Sequence, residues 1–160
     1  MSDNSWGLDH GTWSVLRHVY PQADVPVVQL SIDTSKPSRV HYDIGRALAP
    51  LRTEGILIAG SGNVVHNLRQ YDWSGRRLQA HGWATRFEQQ VKTLLDRSDF
   101  EPLIQYEELG PDAAMSIPTT EHYLPLLYIL GSKFATDKVS FPVEGIEGGS
   151  LSMLTVTMDG

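Results

Sequence analysis

Six histidines and no cysteine set the chemistry open to this 160-residue chain: His10, His18, His41, His66, His81 and His122. Without thiols there is no disulfide framework, no thiolate zinc site and no cysteine nucleophile, so any metal must be held by His, Asp or Glu. His66 ends the run Gly60-Ser61-Gly62-Asn63-Val64-Val65-His66, directly after the apolar stretch 55–59 (GILIA). Ligand sites of α/β sheets lie beyond the carboxyl ends of strands. Small residues there let backbone approach a ligand, and an imidazole can exchange a proton near neutral pH. On spacing alone, a histidine that merely closes a loop fits as well. The Gly-x-Gly fragment falls short of the dinucleotide-binding pattern.

The second candidate is Glu121-His122, at the start of an otherwise apolar stretch. Neighbouring side chains on a helix point about 100° apart, so the two do not both reach one metal. His122 is therefore the ligand candidate, and Glu121 a cap or a hydrogen-bonding support. His10 sits in Leu8-Asp9-His10-Gly11-Thr12-Trp13, before a short helix, where Asp9 orients it only if the backbone turns both side chains one way. Ser14 nearby suggests a Ser-His-Asp hydrolase, but the chain has no Gly-x-Ser-x-Gly elbow. His18 and His41 on presumed helices, and His81 in a glycine-containing loop, read as surface or packing residues.

The elements that must position these groups follow from periodicity. Residues 25–32 (VPVVQLSI) and 55–59 are near-continuous apolar runs rich in branched side chains, as in strands covered on both faces. Between them, 40–52 has helical spacing with Tyr42, Ile44, Leu48 and Leu51 inward, and Pro50 weakens its last turn. Strand, helix, strand is a βαβ unit, which favours parallel pairing. Residues 83–95 predict an amphipathic helix with Phe87, Val91, Leu94 and Leu95 on one face. Residues 99–109 turn helical after Pro102. Thr119 or Thr120 caps a helix running to Leu130, and Gly131 ends it. Strands at 139–143 and 151–158 flank a Glu- and Gly-rich turn. Loops fall at 33–38, 60–63, 71–82 and 110–118.

Composition excludes several classes of function. The length suits one domain, residues 1–160, with a real core. A net charge of −6 and a pI near 5.4 argue against nucleic-acid binding, and Arg76-Arg77 is the only adjacent basic pair. No apolar run reaches the length of a membrane span, and the first residues lack the charged and apolar regions of a signal peptide. The expectation is a cytoplasmic protein with neither membrane nor nucleic acid as partner.

Five segments in order carry a resemblance: residues 6–13 (WGLDHGTW), 26–33 (PVVQLSID), 61–68 (SGNVVHNL), 121–128 (EHYLPLLY) and 144–153 (EGIEGGSLSM). Together they resemble the class III extradiol ring-cleaving dioxygenases, in the DOPA 4,5-dioxygenase-like, LigB-type branch. The resemblance covers nearly the whole chain. It implies a three-layer α/β/α fold with a mostly parallel central sheet. It also implies a mononuclear metal, Fe2+ or Zn2+, and cleavage of a catechol ring beside its hydroxyls with O2, an activity of aromatic compound catabolism. His122 would be a metal ligand. His66 would be a further ligand, the acid/base residue, or each in a different state. His10 would be a nearby polar residue that hydrogen-bonds substrate or oxygen. A base with a pKa near 7 suits a catechol, which loses protons on chelating a metal.

The family pattern also contains a His-Gly-Ser-Pro-like turn and an Ala-His-Trp-like strand end that supply two histidine ligands, and neither occurs here. The expectation is the C-terminal part of an extradiol catalytic domain, lacking the N-terminal strands. Three explanations compete: a truncated gene product, a site completed by a second copy or a complementary chain, or a non-catalytic remnant. The first is favoured, with weak metal binding and little activity for the isolated chain.

Overall fold

Asp9 starts the first helix, α1 (His10–Val19): its carboxylate accepts the Thr12 N–H at 2.9 Å, satisfying a donor that has no partner within the helix. In the computed structural model, residues 7–76 and 79–160 are described; Trp6 of the first matching segment and Arg77 of the basic pair lie outside them. The chain forms two compact units, Met1–Asp33 and Thr34–Gly160. In the first, α1 is followed by residues 25–32, and Gln29 exchanges hydrogen bonds with Asp9 (2.9 Å from the Asp9 N–H, 3.1 Å to its carboxylate). No described residue of this unit is buried.

The second unit holds the core. Helix α2 (Ser38–Leu48) tightens at Pro50 into a 3₁₀ turn, Ala49–Glu54, which Gly55 ends at φ +80°. Next come α3 (Gly82–Asp96), α4 (Glu101–Ile104), a 3₁₀ turn at Tyr106–Leu109, α5 (Pro111–Ser116) and α6 (Leu124–Ser132). On α3 the buried stripe is Ala84, Phe87, Val91 and Leu95, spaced by three and four, and it lies against α4 and α5. Burying each large member stabilises the fold by about 1.5–3 kcal/mol.

Helices α2 and α6 pack backbone to backbone. A Cβ on Gly45 would stand 2.2 Å from the Tyr128 carbonyl oxygen, and one on Gly131 would stand 2.1 Å from that of Tyr42. Gly131 therefore sits inside α6 as a contact point instead of ending it, and α6 begins at Leu124 without a threonine cap. His41 lies in this interface, as a packing residue should, with Nδ1 2.9 Å from the Tyr128 hydroxyl.

The strands form antiparallel pairs. β1 (Lys138–Val143) pairs with β4 (Thr155–Asp159), and β2 (Ile146–Glu147) with β3 (Leu151–Ser152) around Gly148 and Gly149 at positive φ. The architecture is thus mixed α/β. Residues 25–32 and 55–59, expected as parallel strands, form neither helix nor strand. A ladder needs a neighbouring strand in register, and the described residues supply none for either segment. Their apolar side chains stay exposed, Val28 at 95% and Leu57 at 69%. Among the described residues no helix is long and apolar enough to cross a membrane.

Candidate active site

His66 is placed by α5 and β3, not by the 55–59 run. Its N–H donates to the Ser116 carbonyl at 2.8 Å, and it bridges Leu151 in antiparallel sense. On either side, the Ser152 N–H reaches the Val65 carbonyl at 2.9 Å and the Asn67 N–H reaches that of Ser150 at 3.1 Å. The Asn67 side chain donates to the Met115 carbonyl at 2.7 Å, closing the α5 side. With both neighbours pinned, the main chain fixes the direction in which the His66 side chain leaves the backbone.

His122 stands in the turn just before α6, and a single contact brings the two segments together. The Asn63 N–H donates to the His122 carbonyl at 2.8 Å. Gly62 makes this approach possible, since a Cβ there would fall 2.2 Å from the same oxygen. The glycine run expected to admit a ligand instead admits the backbone of the second histidine.

As a result the two rings stack, with centroids 3.5 Å apart and planes 17° from parallel. Burial, and then the neighbouring His122, push the His66 imidazole below its usual pKa, against an opposing pull from Glu121. His66 is therefore neutral near pH 7 and free to accept a proton. Burial raises the Glu121 carboxyl, but the Thr119 hydroxyl at 2.7 Å, a backbone N–H and the two imidazoles outweigh it and hold it below the ordinary range. Its Oε1 lies 3.8 Å from His122 Nε2, so Glu121 supports the pair from the side.

Imidazole lone pairs lie in the ring plane. In a near-parallel stack they run side by side, so an ion about 2.0–2.1 Å from one nitrogen and in its plane lies well off the plane of the other. The pair as it stands offers one such nitrogen to a single ion. Among the described residues no group of three or more His, Asp or Glu side chains converges on a metal position. These residues alone do not make a complete metal site.

His10 belongs to the first unit, exposed at the start of α1. Asp9 does not orient it: that carboxylate is engaged by Thr12 and Gln29. The sequence reading also missed Glu88 and Ser152. The Ser152 hydroxyl donates to Glu88 directly behind the Val65 contact, and burial raises the Glu88 carboxyl. Glu88 lies four residues after Ala84 and three before Val91, on the buried face of α3, where its charge hid it from a search for apolar spacing.

The chain has known counterparts. The model of the LigB family, the catalytic LigB subunit of aromatic ring-opening dioxygenase, matches residues 1–147. The chain is 50% identical over 159 residues to the 4,5-DOPA dioxygenase extradiol of Escherichia coli K12, covering 98% of this chain and 58% of that protein. It is 35% identical over 154 residues to the protein of the same name from Beta vulgaris, covering 94% and 56%. The crystal structure of an uncharacterised Escherichia coli K12 protein superposes with a TM-score of 0.90 at 49% identity, covering 99% of this chain and 65% of that one. The chain thus spans somewhat more than half the length of these curated relatives. With the family match extending over residues 1–147, it belongs to the LigB family of catalytic subunits of aromatic ring-opening dioxygenases.

Proposed function

We propose that this chain carries the proton-transfer half of an extradiol dioxygenase site that cleaves a catechol ring with O2. The observation that carries the reading is the stacked pair: a neutral His66 held 3.5 Å from His122. In this reading His66 is the acid/base residue, taking a proton from a catechol hydroxyl and returning it to the opened product. His122 is one ligand of a mononuclear metal: Fe2+ would supply the redox and Lewis-acid chemistry, whereas Zn2+ in its place would supply Lewis acidity alone. His10 hydrogen-bonds substrate or oxygen. The remaining metal ligands come from sequence corresponding to the N-terminal part of the relatives that this chain does not span. Support comes from the family match and from relatives named as extradiol dioxygenases of DOPA.

The same reading assigns residues 25–32 and 55–59 to a mostly parallel sheet between helical layers, completed by strands outside these residues. Residues 1–160 are then the C-terminal part of one cytoplasmic catalytic domain. The exposed Val28 and Leu57 favour a second reading, an interaction subunit that docks a second copy or a complementary chain onto these segments without catalysis of its own.

The test is metal content and catechol-dependent oxygen uptake of the chain alone, and again with the N-terminal part of the Escherichia coli relative supplied as a separate polypeptide. We expect far less than one metal per chain alone, and uptake only in the mixture. His66→Asn should abolish uptake while metal is kept, and His122→Ala should lose the metal. Assembly with no oxygen uptake favours the docking subunit. Turnover without oxygen refutes the dioxygenase reading, and full uptake in His66→Asn refutes the acid/base role of His66.

A further inference from the structure

Directly after His66 the chain builds an open concavity of about 520 Å³, lined by Arg69, Gln70, Tyr71, Asp72, Arg76 and His81. The lining brings two arginines to one concavity in a chain of net charge −6. Three other arginines are paired: Arg39 with Glu101, Arg52 with Asp137, Arg86 with Asp112. Arg69 and Arg76 are exposed, and neither guanidinium has a partner among the described residues. Asp72, the acid in the lining, accepts from the Ser74 N–H at 2.9 Å and its hydroxyl at 2.6 Å. Two guanidiniums against one carboxylate leave the described lining with one positive charge in surplus, which favours an anion.

The frame of the concavity is fixed. The Gln70 N–H donates to the Asn67 carbonyl at 3.1 Å, and the Asp72 N–H to that of Gly148 at 2.9 Å. The His81 N–H reaches the Gly149 carbonyl at 3.0 Å, and its Nε2 donates to the Gln70 carbonyl at 3.0 Å. The Tyr71 ring lies on Gly148, where any Cβ would fall 2.1 Å from it, and packs 4.6 Å from Trp73. The same 148–151 segment holds Asn67 and bridges His66. Arg69 is three residues past His66, at most about 11 Å away between Cα atoms. An arginine side chain is long enough to cover much of that separation, so the concavity and the His66 segment lie within one substrate's length of each other along the chain.

We propose that Arg69 and Arg76 form a clamp for the carboxylate of the aromatic substrate, selecting catechols with an anionic side chain over neutral ones. This rests on the dioxygenase reading for the ring's position. A planar guanidinium matches a carboxylate with two parallel hydrogen bonds, which gives orientation as well as attraction. His81 is a positioning residue, holding the loop through Gln70.

The test is NMR of the arginine Nε–H groups in the full 160-residue chain. It is titrated with 3,4-dihydroxyphenylpropanoate, with the neutral methyl amide of that acid, and with inorganic phosphate. The acid should shift the Arg69 and Arg76 signals saturably, and the amide should bind at least ten-fold more weakly. Arg69→Gln and Arg76→Gln, both at exposed positions, should each weaken the acid about ten-fold, and Arg69→Lys less. Equal binding of acid and amide, unchanged affinity in both glutamine variants, or phosphate binding as tightly as the acid overturns the clamp. Oxygen uptake by the completed enzyme separates the two readings. Arginine shifts without uptake keep the clamp and refute ring cleavage, whereas uptake indifferent to the carboxylate refutes the clamp alone.

Discussion

Gly62→Ala is the sharpest perturbation of the histidine pair, because it touches neither ring. The added Cβ would lie 2.2 Å from the His122 carbonyl oxygen, whereas ordinary contact starts at 3.4 Å, so one segment must retreat by the difference, 1.2 Å. Retreat along that line stretches the 2.8 Å bond from Asn63 N–H to His122 O to about 4 Å, beyond hydrogen bonding. Losing the bond costs about 1 kcal/mol. Strain from forcing a methyl into a filled space costs about 1–3 kcal/mol more. Alanine also stiffens the unfolded chain, which offsets about 0.4–1 kcal/mol. The expected net loss is about 2 kcal/mol, a large share of a typical folding free energy. Urea unfolding measures it, with Gly7→Ala, whose Cβ meets nothing within 4 Å, as a control expected within about 0.5 kcal/mol of wild type. Stacked imidazoles also shield each other's ring protons, so the His66 and His122 proton signals should move toward free-histidine positions. A Gly62→Ala protein as stable as wild type, with both ring signals unmoved, would show that Gly62 does not hold the pair together.

Two further outcomes follow from the same contacts. The folded His66 imidazole titrates below 6.5, so between its folded value and 6.5 the unfolded chain binds the proton better. Stability contributed by His66 is therefore present above that window and lost as pH falls through it; urea midpoints across pH 5–8 should show this slope, and His66→Asn should flatten it. Asp137 is 2% exposed, 2.5 Å from Arg52, and also accepts the Phe134 N–H at 2.8 Å. Asp137→Asn leaves a mostly buried guanidinium with only the neutral Ser132 and Met158 carbonyls and should cost about 3 kcal/mol in chemical denaturation; a loss below about 1 kcal/mol would mean that these carbonyls or solvent suffice for Arg52.

Where one side of an element faces the core, the sequence showed it. The three- and four-residue spacing of Phe87, Val91 and Leu95 is the buried stripe of α3, and the branched run at 139–143 is β1. The same logic overreached at 25–32 and 55–59, because composition states what a segment would bury and not whether a neighbour is present to pair with it. It also misread Gly131, since a glycine that ends a helix and one that admits another backbone look alike until the partner, here Tyr42, is known. In the site, the two informative histidines were legible from their contexts. Their mutual placement was not, because it depends on Gly62 meeting a carbonyl far along the chain. Glu88 stayed hidden for the reason it matters: it is a carboxylate folded inward onto the Ser152 hydroxyl.

The stack turns two similar residues into two different ones. An imidazole alone near a strand could ligate, accept a proton or do neither, and spacing does not choose among these. Once the rings lie 3.5 Å apart, charge on one disfavours charge on the other, and the lone pairs cannot converge on one ion. Burial falls on His66 and lowers its proton affinity, while Glu121 stands beside His122 Nε2. If one ring is committed to a cation, the other is kept neutral by the same field and stays available as a base. The division of labour proposed for the pair would thus come from its geometry, and Gly62, with no side chain at all, is the residue that lets the two segments meet.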